Sequence, residues 1–482
     1  MSAAIPVSSS TELKRGALGV GFIIFFVISA ASPLSVIAGG FPIGIMLGNG
    51  AGTPALLLLT LLVLLTFSVG YTTMARHVTN AGGFYAFSSQ GLGGYAGAAA
   101  GVLAMFAYNI LQVGLYGMFG AVVSGTMASV FGLHGPWWGY SLLAMVSIAI
   151  LGYRKIDLSA RVLSVVVIAE YLAILVLDFA ILGTGGDSGV NVDSFERAQV
   201  FSGTPSIGLL FCFAAFIGFE ATTIYGEEAK NPQRTIPLAT YLSVLLIGCF
   251  YTLSIWSMVV GVGTDKIVPA LQALEDPTTF IYGMSDHFVG PQLTQVIRLL
   301  FMVSIYAGLL AFHNAAARYF YAIGRDGLLP SKLGTTHQIH QSPHMGSALQ
   351  SLIAAVVVLV FAAMDADPIL QLFAWFSSLA TLCVILLMAL TSAAVFVYFL
   401  RRPELRLGWW RGRILPGFSC LALLMVLVVA VLNFDVLTGA SKALSYGLCT
   451  IIPLALIGGV LLAARLRKVA PQRFERLGSH KL

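Results

Sequence analysis

The chain holds 482 residues, 58% hydrophobic and only 10% charged, with a mean hydropathy of +0.90. Soluble domains carry about a quarter of their residues as charges, so water is excluded as the main solvent of this chain. The formal net charge of +6 accompanies no nucleic-acid-binding motif. In so apolar a chain basic residues set topology, and no nucleic-acid partner is expected.

In chain order the apolar runs give twelve candidate spans: 17–47, 52–75, 94–127, 137–153, 160–183, 205–227, 237–262, 291–322, 347–364, 368–399, 415–434 and 445–465. A helix needs about 17 to 25 such residues to cross a bilayer, and no series of short alternating strands suggests a barrel. The expected fold class is all-α integral membrane with twelve transmembrane helices. Lys14 and Arg15 precede the first run without a small-residue cleavage site after it, so that run reads as a retained span.

With the N-terminus inside, one side collects most of the Lys and Arg, among them Lys14, Arg15, Arg76, Arg154, Lys155, Lys230, Arg234, Arg325, Arg401, Arg402, Arg411, Arg413 and Arg467. The opposite loops keep Arg197, Lys266 and Lys442. This asymmetry supports the span count and puts both termini in the cytoplasm of a bacterial-type cytoplasmic (inner) membrane, because one missed helix would scramble the alternation. The outer loops carry Asp187, Asp193, Glu196, Asp265, Glu275, Asp276, Asp365 and Asp367, as a solvated face does.

The expected organisation is an N-terminal cytoplasmic tail over 1–16, a core over 17–400, two further helices over 401–465 and a basic tail over 466–482. The longest polar stretch, 324–345, contains Pro330 and Pro343 and reads as a loop, so no soluble domain is placed. Cys212, Cys249, Cys383, Cys420 and Cys449 lie in apolar runs without metal-like spacing and read as small core residues. No metal and no cofactor are expected.

Span one contains Ser32-Pro33-Leu34-Ser35, then Gly39, Gly40 and Pro42, in a run too long for one straight crossing. Pro33 frees backbone carbonyls, which either a plain kink against a neighbouring helix or a ligand cavity must satisfy. Span six has a matching irregularity at Phe216-Ile217-Gly218-Phe219-Glu220. Interruptions five spans apart are the signature of an inverted-repeat transporter with spans 1–5 and 6–10 as its repeats.

A carboxylate at mid-membrane costs about 2.5–3.5 kcal/mol, so Glu220 in span six and Glu170 in span five need a polar cavity, a partner or a proton. Each reads either as a structural hydrogen bond to a broken helix or as a proton-coupling group whose exposure alternates. Asp178 reads as interfacial and Arg298 as snorkelling outward, while His313 beside Asn314 reads as a packing pair. Asn109 in span three is either a substrate contact or a bond between helices. Phe106, Tyr108, Phe216, Phe219, Phe312, Trp375 and Phe376 are aromatic candidates for a cavity wall or for core and lipid contact.

Several stretches together resemble the amino acid-polyamine-organocation (APC) transporter superfamily. They are Ala81-Gly82-Gly83-Phe84-Tyr85 after span two, Gly218-Phe219-Glu220 with Gly226-Glu227-Glu228-Ala229-Lys230-Asn231-Pro232 and Arg234-Thr235-Ile236-Pro237 after span six, and Asn314, Arg318 and Arg325-Asp326-Gly327-Leu328-Leu329-Pro330 ending span eight. The resemblance covers roughly 15–465. It implies a LeuT-like 5+5 inverted repeat with broken helices 1 and 6 and two C-terminal helices, and a substrate site on Ala31, Ser32, Pro33, Asn109, Phe216, Ile217, Gly218, Phe219, Glu220 and Phe312. Two positions depart from the family pattern. Ala31-Ser32-Pro33 stands where many amino-acid-selective members have glycines whose N–H groups bind the substrate carboxylate, and Glu170 stands where some carry a lysine.

The expected function is a permease that imports an amine-bearing small solute, a polyamine, biogenic amine or amino acid, coupled to H+ through Glu170 and Glu220. An amino acid exchanger and a sodium-coupled amino acid symporter are the nearest alternatives. Catalytic residues are expected to be none: no G-x-x-x-x-G-K-[ST] loop, H-E-x-x-H or G-x-S-x-G motif supports ATP use or a membrane-embedded enzyme, and no selectivity ring supports a channel. A non-transporting solute sensor would keep the same pocket. Arg76, Glu227, Glu228 and Arg234 read as an inner gate or as solvated surface. The bilayer is the other partner, around a monomer or homodimer.

Overall fold

The computed structural model describes residues 18–78, 82–154, 159–187, 189–223, 225–226, 229–340, 342–405, 408–439 and 441–478. The expected tail 1–16, Ala81, Lys155, Glu227 and Glu228 lie outside these residues, as does the end of the basic tail. Among the described residues eleven helices are long and apolar enough to cross a membrane, and Trp137–Tyr153 is a shorter apolar helix at the position of span four. No strand occurs among them; an isolated bridge joins Leu18 to Ala229.

The boundaries follow local chemistry. Span three runs from Gly94 to Phe131, past the expected 127, and stops where Gly132 takes φ 66°. There the N–H groups of Gly132 and Leu133 return to the carbonyls of Ala128 and Met127 at 3.1 Å each, a glycine-terminated helix end. Span seven begins at Pro232 instead of 237: a proline in the first turn has no hydrogen bond to lose, and the helix then carries Pro237 inside it. The regular helix of span six covers only Pro205–Ala214, and a 3-10 turn follows over Phe219–Thr223.

Each of the first four spans packs against the span five places further on: one against six, two against seven, three against eight and four against nine. Such pairing is what two structurally related five-helix units produce when they interlock. Span three lies at the centre, touching spans eight, ten and twelve, and spans eleven and twelve close the outside of the assembly.

On the basic side, the short helix Phe84–Leu92 lies between spans two and three and meets the stretch that ends span eight. Tyr85 donates its hydroxyl to Asp326, whose Oδ2 also accepts the Gly478 N–H at 3.0 Å. Burial and then the nearby carboxylate push the Tyr85 phenol well above its ordinary range, so it stays a donor. The stretch after span twelve is not a free basic tail up to Gly478. A short helix, Pro471–Glu475, turns back, and Leu477 and Gly478 are buried; a Cβ at Gly478 would meet Ser89 and Ala86 of the Phe84–Leu92 helix.

Candidate functional site

Span one is broken as Pro33 requires. Its first half, Val20–Ala31, ends at Ser32, which adopts a left-handed φ of 44°, and its second half continues through a π-helical turn, Ser35–Gly40, into Phe41–Leu47. A left-handed serine costs roughly 1 kcal/mol and needs fixing by its surroundings. The Ser32 N–H donates to Ile28 and Ser29 at 3.0 and 3.2 Å, and its hydroxyl lies 3.0 Å from the Ser29 carbonyl and 2.9 Å from the Ser304 carbonyl of span eight. Span eight comes this close because residue 308 is a glycine, where a Cβ would fall on the Ser32 hydroxyl.

Glu170 spans the other side of the break. Its Oε2 accepts the Leu34 N–H at 3.4 Å and the Ser304 hydroxyl at 2.7 Å, while Oε1 is buried with no partner among the described residues. Glu170 thus tethers spans one, five and eight and faces the positive end of the second half-helix of span one. The first N–H groups after the break are therefore spent: Ser32 on its own helix, Leu34 on Glu170, and Pro33 has none.

In span six the chain leaves the helix after Ala214, and Gly218 takes φ 115°, with room for no more than a hydrogen beside Ala30 of span one. Glu220 folds back to accept the Gly218 N–H at 2.9 Å and receives the Tyr108 hydroxyl from span three. Its own carbonyl accepts Tyr71 of span two at 2.8 Å. Glu220 therefore satisfies the break in span six.

Between spans one, three, six, eight and ten lies a small cavity. Ala31, Ser32 and Ser35 line it from span one, Ala214, Ala215 and Ile217 from span six, Phe312 from span eight, and Leu111, Leu115 and Met118 from span three. Phe373 and Ser377 of span ten complete the wall, and among the described residues no ionisable side chain lines it. The Ser35 hydroxyl is buried with no partner among the described residues. Val20–Ala31 and Pro205–Ala214 end here by their C-termini, whose terminal carbonyls carry partial negative charge, while the positive N-terminal end of the second half of span one is met by Glu170.

Of the residues expected at the site, Ala31, Ser32, Ile217 and Phe312 line this cavity. Pro33, Phe216, Gly218, Phe219 and Glu220 form the breaks without lining it, and the Glu220 carboxylate is bonded to the Gly218 N–H and the Tyr108 hydroxyl. Asn109 lies off the wall: its amide donates to the Met105 carbonyl at 2.7 Å, and Leu111 occupies the facing side of span three. Two positions along a helix are about 200° apart, so Asn109 and Leu111 point nearly opposite ways.

Other polar residues are engaged elsewhere. His313 belongs to a buried network with Gln112 at 3.2 Å and Ser347 at 2.6 Å, and Gln350 joins it through Gln112. Asp178 is buried and receives the Ser254 hydroxyl of span seven at 2.7 Å. Arg298 lies 4.5 Å over the Tyr282 ring and donates to Ser129 at 3.0 Å. Of the proposed gate, Arg76 and Arg234 are exposed.

A family model described as amino acid permease matches residues 18–462. The branched-chain amino acid permease BcaP of Lactococcus lactis is 27% identical over 328 residues, covering 64% of this chain and 68% of that protein. The low-affinity putrescine importer PlaP of Escherichia coli K12 is 23% identical over 331 residues, covering 65% and 69% respectively. Among solved structures, a mutant of the Eremococcus coleocola manganese transporter superposes with a TM-score of 0.56 at 13% identity, over 95% of this chain and 99% of that one, a likeness of fold.

Proposed function

This chain belongs to the amino acid permease family, a family of multi-pass membrane transporters and not enzymes, and on that premise we propose that it imports a compact amine-bearing solute with an apolar body by proton-coupled alternating access. The observation that carries the reading is the cavity: apolar walls, two helix C-termini and, among the described residues, no ionisable lining side chain. An ammonium group is attracted by the two carbonyl ends, and a short alkyl body is taken up by Leu111, Leu115, Met118 and Phe312. A long polyamine needs a second acidic partner at its far end, and the wall offers none. Arginine meets the same difficulty.

The names of the relatives include both branched-chain amino acids and putrescine, and the apolar wall favours the first kind of body. An aliphatic amino acid also brings a carboxylate, for which the Ser35 hydroxyl is the available donor. The decarboxylated monoamine needs no such donor.

Coupling is assigned to Glu170. Ser304 links it to the cavity, because its carbonyl faces the hydroxyl of cavity-lining Ser32 while its own hydroxyl donates to Glu170. A proton on Glu170 loosens its hold on the Leu34 N–H, so protonation and the geometry of the span-one break move together. The basic side is the cytoplasmic side in this reading, with both termini there.

The test is competition for uptake into proteoliposomes by leucine, isoleucine, isoamylamine, putrescine and arginine under an inward proton gradient. Leucine, isoleucine or isoamylamine is expected to compete at least about tenfold more strongly than putrescine or arginine, a difference of about 1.4 kcal/mol in binding. Preference for putrescine or arginine would overturn the substrate reading, and uptake driven by sodium alone would overturn the coupling.

A further inference from the structure

We propose that the basic-side end of spans ten and eleven holds a binding pocket for the phosphate of an anionic phospholipid. This pocket is remote from the transport cavity and shares no residue with it. It is lined by Phe399, Arg402, Pro403, Gly408, Trp409, Gly412 and Arg413.

Both guanidinium groups are held by rings. Arg402 lies 4.2 Å over Tyr398 and donates to its hydroxyl, and Arg413 lies 5.6 Å over Trp409. Neither has a carboxylate partner among the described residues. A guanidinium carries five N–H donors in a planar fork, and an aromatic face occupies its π-surface while leaving available the in-plane donors that Arg402 does not give to the Tyr398 hydroxyl. Two such forks on one small pocket match the oxygens of a phosphate ester, which arginine binds in bidentate fashion.

The location selects the lipid as the source of that phosphate. Trp409 and Trp410 are 67% and 66% exposed at the start of span eleven, where a short π-helical turn, Trp410–Ile414, leads into the membrane helix. Exposed tryptophans at the end of a span sit at headgroup level. The same side of the molecule carries the excess of Lys and Arg, the side that faces an anionic leaflet. The open space beside Gly408, where an added Cβ would meet nothing within 4 Å, leaves the chain turn accessible to a headgroup.

The experiment is native mass spectrometry of the full-length protein, purified in neutral detergent and titrated with phosphatidylglycerol or phosphatidylcholine. The wild type is expected to retain one phosphatidylglycerol in preference to phosphatidylcholine. Two arginines near a headgroup contribute about 1 kcal/mol each, so the Arg402→Gln, Arg413→Gln double variant should bind it about thirtyfold more weakly. Arg411→Gln, outside the pocket, should bind as the wild type does, and the thermal transition of each variant without lipid checks its folding. Equal retention by wild type and a folded double variant would overturn the site. Displacement of the lipid by millimolar inorganic phosphate would overturn the lipid as its ligand in favour of a soluble phosphate.

Discussion

Glu170→Gln is expected to abolish proton-driven accumulation while leaving passive exchange of substrate across proteoliposomes. One proton moved down a gradient of one pH unit supplies about 1.4 kcal/mol, enough for about tenfold accumulation of a cotransported solute. The glutamine keeps an oxygen that can accept the Leu34 N–H and the Ser304 hydroxyl, so the tether between spans one, five and eight survives. What it loses is the ability to bind and release a proton. The wild type should therefore accumulate substrate about tenfold under that gradient, and the variant should only equilibrate, with counterflow intact. Measuring both in one preparation separates uncoupling from misfolding, because a misfolded protein loses counterflow as well.

The second large effect is expected at Gly308. A side chain there would fall on the Ser32 hydroxyl, which is already held between Ser29 and Ser304. Valine at 308 must push span eight away from the break or expel Ser32 from its left-handed conformation. Overpacking costs about 1–3 kcal/mol and a lost buried hydrogen bond about 1–3 kcal/mol more. Gly308→Val should lower the thermal transition in detergent by several degrees and remove transport. Gly283→Val is the control, since nothing lies within 4 Å of a Cβ at that position, and it should change little. Equal transition temperatures and transport in the two variants would contradict the close approach of spans one and eight.

Much of this architecture was legible in the sequence because its signals are local. Apolar length marked the spans, Pro33 marked the first break, and Gly218 with Glu220 marked the second. Glu170 was legible too, as an acid that must find a partner. Rotation about a helix was not. Asn109 was conspicuous as the polar residue of span three, yet the wall is made by Leu111, Leu115 and Met118, whose spacing is an ordinary helical stripe that many core faces share. Glu220 was conspicuous for its charge, but the Gly218 N–H two residues back and Tyr108 in another span consume it. A residue's cost in the membrane says that it needs a partner without saying which one.

Asp178 shows the same limit. Its place near the end of span five did not name its partner: i and i+8 share a helix face, so it turns inward on the side of Glu170 and meets Ser254. Ser35, Ala214 and Ala215 carry no sequence signal of their own beyond lying next to the breaks. The return of the chain after span twelve onto the Phe84–Leu92 helix depends on Gly478 meeting Ser89, 389 positions away (478 minus 89) in a chain of 482, which no local pattern encodes.

Whether substrate sits in the cavity where spans one and six break is decided by equilibrium binding of a transported radiolabelled solute to purified wild type and Ala214→Trp. Ala214 lines the cavity at the helix end of span six and is only partly buried, so a larger side chain there occupies the space a substrate would take. The variant is expected to keep the wild-type thermal transition and to show binding weakened beyond detection. A folded variant that binds the solute as tightly as the wild type would contradict that placement.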